Sequence, residues 1–166
     1  MAGLISRSDL FAEFLQNRQR ITGKITQIDR KYSRENPTVV NNPTPILLLV
    51  CNSQTQSYLS SLLTEYNYSP LLMKDPEELL HSLKERQSAI ILVDCCAVTY
   101  FGTRILSKIR VSCPLSRVIF LCNKDHLCDK LHRELIKEVM NIGVYACILA
   151  PYKEWEILSM VSCNPQ

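Results

Sequence analysis

The sequence predicts an α/β domain built on a five-stranded parallel sheet with helices on both faces. Three observations carry this expectation. Five short, mainly apolar runs, ILLLVC, PLLM, AIILVD, RVIFLC and VYACIL, recur through residues 46–149. Each is followed by a stretch with apolar residues at helical spacing. The composition, 46% hydrophobic and 21% charged with only 4 Gly, is that of a chain that buries a core. Strands without polar alternation are buried on both faces, as happens when crossover helices cover a parallel sheet above and below.

Residues 1–35 read as a helical basic extension. Ser8 or Asp9 can cap a helix whose Leu10, Phe11, Phe14 and Leu15 form an apolar stripe, continued by Ile21, Ile25 and Ile28. Gly23 costs about 1 kcal/mol against alanine in a helix interior, so one broken helix and two helices both stay open. The polar face holds Arg18, Arg20, Lys24, Arg30, Lys31 and Arg34. Residues 1–40 carry seven Lys/Arg and four Asp/Glu, whereas residues 41–166 carry twelve of each, so the whole net charge of +3 lies in the first forty residues. Residues 36–45, NPTVVNNPTP, hold three prolines and three asparagines and form a linker. The α/β domain then spans residues 46–163.

Its elements follow in order. Residues 46–51 are a buried strand, and residues 53–66 a helix with Leu59, Leu62, Leu63 and Tyr66 on one side. Residues 70–73 form a short second strand. Asp75, Pro76 and Glu78 make a helix start of cap, first-turn proline and carboxylate three residues on. That helix runs to about Arg86 and buries Leu79, Leu80 and Leu83. Residues 89–94 are a third strand ending in Asp94, and residues 103–111 a helix. Residues 117–122 are a fourth strand. A helix over residues 125–141 follows, closed by Gly143 near the usual glycine cap. Residues 144–149 are the fifth strand, and residues 152–163 a last helix.

Composition also excludes classes of function. Eight Cys are many, but no apolar leader opens the chain, so free thiols in a reducing cytoplasm are expected rather than a disulfide scaffold. No run of 18 apolar residues exists to span a membrane. The basic residues are interrupted by acids and no nucleic-acid-binding module fits in the extension, so direct nucleic-acid binding is not expected. No output domain is expected after the last helix, and any output is expected to pass through protein partners.

In parallel α/β sheets, function sits at the carboxyl ends of the strands. Those positions hold Cys51, Asn52, Asp94, Cys95, Cys96, Cys122, Asn123 and Ala150. With Gly102 and the run Gly143-Val144-Tyr145-Ala146-Cys147-Ile148-Leu149-Ala150-Pro151-Tyr152, the spacing over residues 45–162 resembles the response-regulator receiver (CheY-like) family. The resemblance implies a flavodoxin-like sheet in strand order 2-1-3-4-5, with Asp94 at the phosphoacceptor position, Gly102 opening the third helix and Pro151 at a cis-proline.

The departures from the family pattern matter as much. Cys51-Asn52 stand where the family keeps an acidic pair, Cys122 where it keeps Thr or Ser, and Ala150 where it keeps Lys. Phosphoryl transfer to a carboxylate relies on a divalent ion and a cation to neutralise the incoming charge. Magnesium seeks hard oxygen ligands. Asp94, the Asn52 amide and the Cys96 carbonyl make at most a weak magnesium site, Ala150 supplies no charge, and the Cys122 thiol is a weak donor. The expectation is a pseudo-receiver: a non-enzymatic signalling module acting independently of phosphorylation, with no cofactor and Asp94 as a relic that bonds to a nearby loop or helix start. Two alternatives stand beside it. One is a single-domain response regulator phosphorylated on Asp94 in a phosphorelay. The other is a redox or metal sensor using Cys51, Cys96 and Cys122. Cys95 and Cys96 are adjacent and would point to opposite faces of an extended continuation. His81, His126 and His132 are scattered, and a Cys128–His126 nucleophilic pair lacks an orienting third group.

Protein partners, a homodimer among them, are expected at the face of the fourth helix, fifth strand and last helix, where Tyr145, Tyr152, Trp155 and Ile157 fall. Trp155 is the single tryptophan. Leu10, Phe11 and Phe14 of the extension are the second candidate contact.

Overall fold

Five parallel strands pair in the order β2-β1-β3-β4-β5. They are β1 (Ile46–Leu49), β2 (Pro70–Leu72), β3 (Ile90–Asp94), β4 (Arg117–Cys122) and β5 (Ala146–Leu149). The helices between and after them are α1 (Ser53–Glu65), α2 (Pro76–Lys84), α3 (Cys95–Phe101), α4 (Arg104–Ser112), α5 (Lys130–Ile142) and α6 (Glu154–Ser162). The computed structural model describes residues 44–123 and 129–162. Asp125, His126, Cys128 and the stripe of Leu10, Phe11 and Phe14 lie outside the described residues. No helix among the described residues is long and apolar enough to cross a membrane.

The register sets both hydrophobic layers. Leu47, Ile91 and Val93 face one side of the sheet with Phe120 and Cys122, beneath Leu79 and Leu83 of α2, Ile105 and Ile109 of α4 and Val139 of α5. Ile46, Leu48, Ile90, Leu92, Ile119, Leu121 and Ile148 face the other, beneath Leu59 and Leu63 of α1 and Ile157 and Val161 of α6. The alternation is the period of a strand, and it explains why every second apolar residue contacts a different set of helices.

Local signals account for several helix ends. The Asp75 carboxylate accepts from Glu78 N at 2.8 Å while Glu78 Oε2 accepts from Lys74 N at 2.7 Å, a capping-box exchange shifted by one residue. Gly143 closes α5 at φ +92°, a left-handed conformation that glycine adopts without Cβ strain. The Ala150–Pro151 peptide is cis.

Four expectations are corrected. A seven-residue helix, α3, intervenes between β3 and the helix expected from residue 103. Gly102 therefore ends α3, at φ +84°, rather than opening the next helix. The helix expected from residue 125 starts at Lys130 instead, because Asp129 is the carboxylate that caps it, accepting from Leu131 N at 3.1 Å. Tyr66, expected on the apolar side of α1, is exposed, and its hydroxyl donates to Glu154 Oε1 on α6.

Candidate functional site at the carboxyl end of the sheet

Asp94 is the one charged side chain buried among the described residues, at 4% exposure. It is the last residue of β3, a central strand, so its carboxylate projects between the turns that follow β1 and β3. Three backbone N–H groups converge on it. Ala97 N donates to Oδ1 at 2.7 Å, Asn52 N to Oδ2 at 3.0 Å, and Cys51 N to both oxygens at 3.2 and 3.1 Å. Two oxygens offer about four lone-pair sites, and these donors occupy most of them. The carboxylate caps α3 and at the same time ties the end of β1 to it.

The neighbouring positions are engaged in the same way. The Asn52 side-chain oxygen accepts from Thr55 N at 2.9 Å and caps α1. Cys51 and Cys96 are exposed, whereas Cys95 and Cys122 are buried. The chain turns helical at Cys95, and the helical path of α3 buries Cys95 and exposes Cys96. A hydrogen bond with the Cys95 thiol, then burial, raises the Cys122 thiol, whose Sγ also lies 3.5 Å from Asn123 O. Burial first and the Asp94 charge second push Cys51 and Cys96 up as well. Thiols held protonated are poor nucleophiles and poor metal ligands at neutral pH. Among the described residues, no three His, Cys, Asp or Glu side chains are placed to hold a metal ion.

These thiols give a pH prediction. Burial pushes Cys147 up to about 12, and Cys113 is also raised. In the unfolded chain the thiols release protons near pH 8.5, before the folded chain does, so their contribution to stability is full below about pH 8.5 and is lost as pH rises towards the folded values. The urea midpoint is expected to fall steadily above about pH 8.5, and a flat midpoint up to about pH 10 would contradict this.

The face expected to bind partners divides. Ile157 is fully buried and belongs to the core, which removes it from that face. Tyr145 is half-buried with the Arg117 guanidinium 5.4 Å from its ring centroid. Tyr152 is half-buried against the α1–α6 layer, its backbone oxygen accepting from Tyr58 Oη at 3.0 Å. Burial raises the Tyr152 hydroxyl above its usual range. Trp155 stands 66% exposed. Sequence reasoning did not find the tyrosine links from α1 to α6, because they join residues 88 and 94 positions apart and depend on how the two helices come together.

No protein-family model matches the chain, and no curated protein matches it. Solved structures do. The signal receiver domain of an HD domain-containing protein from Pseudomonas fluorescens is 22% identical, over 76% of this chain and 90% of its own, with a TM-score of 0.59. A response regulator from Thermotoga maritima is 21% identical, over 71% of this chain and 94% of its own, with a TM-score of 0.55. The receiver domain of a sensor histidine kinase from Pseudomonas aeruginosa is 21% identical, over 72% and 95%, with a TM-score of 0.53, and holds magnesium in its active-site cleft. The residues here do not suit such an ion. Backbone donors surround the Asp94 oxygens, the Asn52 amide oxygen is engaged at the α1 cap, and Cys51 offers no hard ligand. With strand order β2-β1-β3-β4-β5 and these structural relatives, the chain has the flavodoxin-like fold of response-regulator receiver domains.

Proposed function

We propose that this chain is a regulatory protein-binding module of the pseudo-receiver kind, acting without phosphoryl transfer and without magnesium. The observation that carries the reading is the state of Asp94. It is 4% exposed, three backbone N–H groups hold its oxygens, and no second carboxylate among the described residues is buried beside it. An incoming phosphoryl group would have to displace those donors and then find neither a cation nor a hydroxyl to receive its charge, since Ala150 and Cys122 occupy those positions. In place of a switched acceptor, Asp94 is a fixed tie between β1, α1 and α3.

Signalling then runs through contact. Of Tyr145, Tyr152 and Trp155, the exposed Trp155 is the proposed anchor at this face, and Leu10, Phe11 and Phe14 of the extension at residues 1–35 remain proposed contacts. Incubation with acetyl phosphate and magnesium is expected to leave the intact mass unchanged. A stable phosphoryl adduct that disappears in Asp94→Ala would sink the proposal and restore the phosphorelay reading.

A further inference from the structure

We infer that the groove between α2 and α4 docks an acidic amphipathic segment of a partner protein. The inference rests on the protein-binding reading and names a surface and a partner chemistry for it. Both helices pack on the same layer of the core and against each other. Between them lies a groove of about 690 Å³, lined from α2 by Glu77, Leu80, His81 and Lys84 and from α4 by Lys108 and Val111, with serines alongside. The α2 residues fall at i, i+3, i+4 and i+7, so they form one continuous stripe.

The chemistry of the stripe is uneven in an informative way. Leu80 packs on the core beneath and gives the groove an apolar floor. Val111 is 83% exposed on the opposite wall, where it contributes little to the fold. Lys84 and Lys108 are exposed, and their ammonium groups form no hydrogen bond or ion pair with any described residue. Arg86 and Arg110, by contrast, are engaged. Arg86 Nε donates to Ser82 O at 3.1 Å, and Arg110 donates to Gly143 O. The groove therefore presents an apolar strip beside two unpaired ammonium groups and an imidazole, with Glu77 as the single acid lining it among the described residues. Its complement is a short helix with an apolar edge and flanking Asp or Glu, laid along the roughly 13 Å of α2. Charge complementarity of this kind selects partners and speeds encounter.

The test uses the full chain and a fluorescently labelled peptide of Leu and Glu at helical spacing, followed by anisotropy. The Glu peptide is expected to bind more weakly as salt rises, and its Lys counterpart not to bind. Lys84→Glu with Lys108→Glu is expected to weaken binding about tenfold or more, and the charge-neutral pair Lys84→Gln with Lys108→Gln to weaken it less. Val111→Asp should weaken it too, whereas Trp155→Ala should not. Absence of Glu-peptide binding overturns the groove assignment. So does binding that survives the lysine changes but is lost in Trp155→Ala, an outcome that leaves the protein-binding reading standing. Preferential binding of a single-stranded oligonucleotide through the same lysines overturns the assignment of a protein partner. Phosphoryl labelling of Asp94 would remove the phosphorylation-independent reading without bearing on the groove.

Discussion

Alanine in place of Asp94 is expected to destabilise the domain by about 3 kcal/mol, because hydrogen bonds to a charged acceptor contribute about 1.5–3 kcal/mol each and only some of the freed donors regain water. Ala97 N is buried and loses its acceptor outright, while Cys51 N and Asn52 N lie nearer the surface. Loss of the α3 cap is part of the same cost, since caps contribute about 1 kcal/mol. Asparagine keeps one acceptor oxygen but sets an N–H₂ against backbone donors, so about half the loss is expected there. The sign is the diagnostic part. In a pocket of several carboxylates, removing one relieves repulsion and stabilises the fold. Among the described residues there is no second buried carboxylate to relieve. Urea melts of wild type, Asp94→Ala and Asp94→Asn decide the matter, and unchanged or increased stability in the alanine variant would refute the structural role.

Phe120→Ala is expected to cost about 4 kcal/mol, within the range for truncating a fully enclosed phenylalanine. Phe120 is completely buried in β4, paired with Val93 of β3 on one side and Cys147 of β5 on the other. Its ring fills the layer beneath α2, α4 and α5, whose side chains cannot all move inwards to close the gap. For a domain of this size the loss corresponds to a fall in Tm of about 15 °C. Leu131→Ala serves as the control, because Leu131 is 78% exposed and its truncation is expected to leave the midpoint nearly unchanged. A Phe120→Ala shift no larger than the control's would mean that this layer is not packed as described.

The strands β1, β3 and β4 were legible because burial on both faces leaves no polar residue to interrupt them, and β4 runs over the expected residues 117–122, whereas β2, with Leu71 and Leu72 exposed, was legible from its apolar run alone. Helices with strong caps were legible for the same kind of reason, as at Asp75. The seven-residue α3 was not. Its CCAVTYF sequence holds mostly poor helix formers, and its helix rests on the carboxylate cap of the preceding residue and on the burial of Cys95, Ala97 and Val98. Asp125 and Asp129 satisfy the same capping rule, so sequence alone could not choose between them. At the site, strand ends located Asp94 and its neighbours, and bonding of Asp94 to a loop or helix start was expected, but which N–H groups supply those bonds depends on backbone directions that no residue pattern encodes. Trp155 and Ile157 lie two positions apart in one helix, and only the helix's rotation against the sheet separates an exposed anchor from a core residue.

The two hydrophobic layers also differ in elemental content. Cys95, Cys113 and Cys122 are buried in the layer beneath α2, α4 and α5, with Cys147 at its margin, and the layer beneath α1 and α6 contains no cysteine among the described residues. The molecule thus carries a clock on one side of its sheet only. The rate at which a thiol reagent reaches Cys122 measures how often that side opens, and amide exchange in α1 and α6 measures the other. If the sheet unfolds as a unit, the two opening free energies coincide. If the sides breathe separately, they diverge, and their difference gives the free energy by which one side of the sheet can loosen while the other holds.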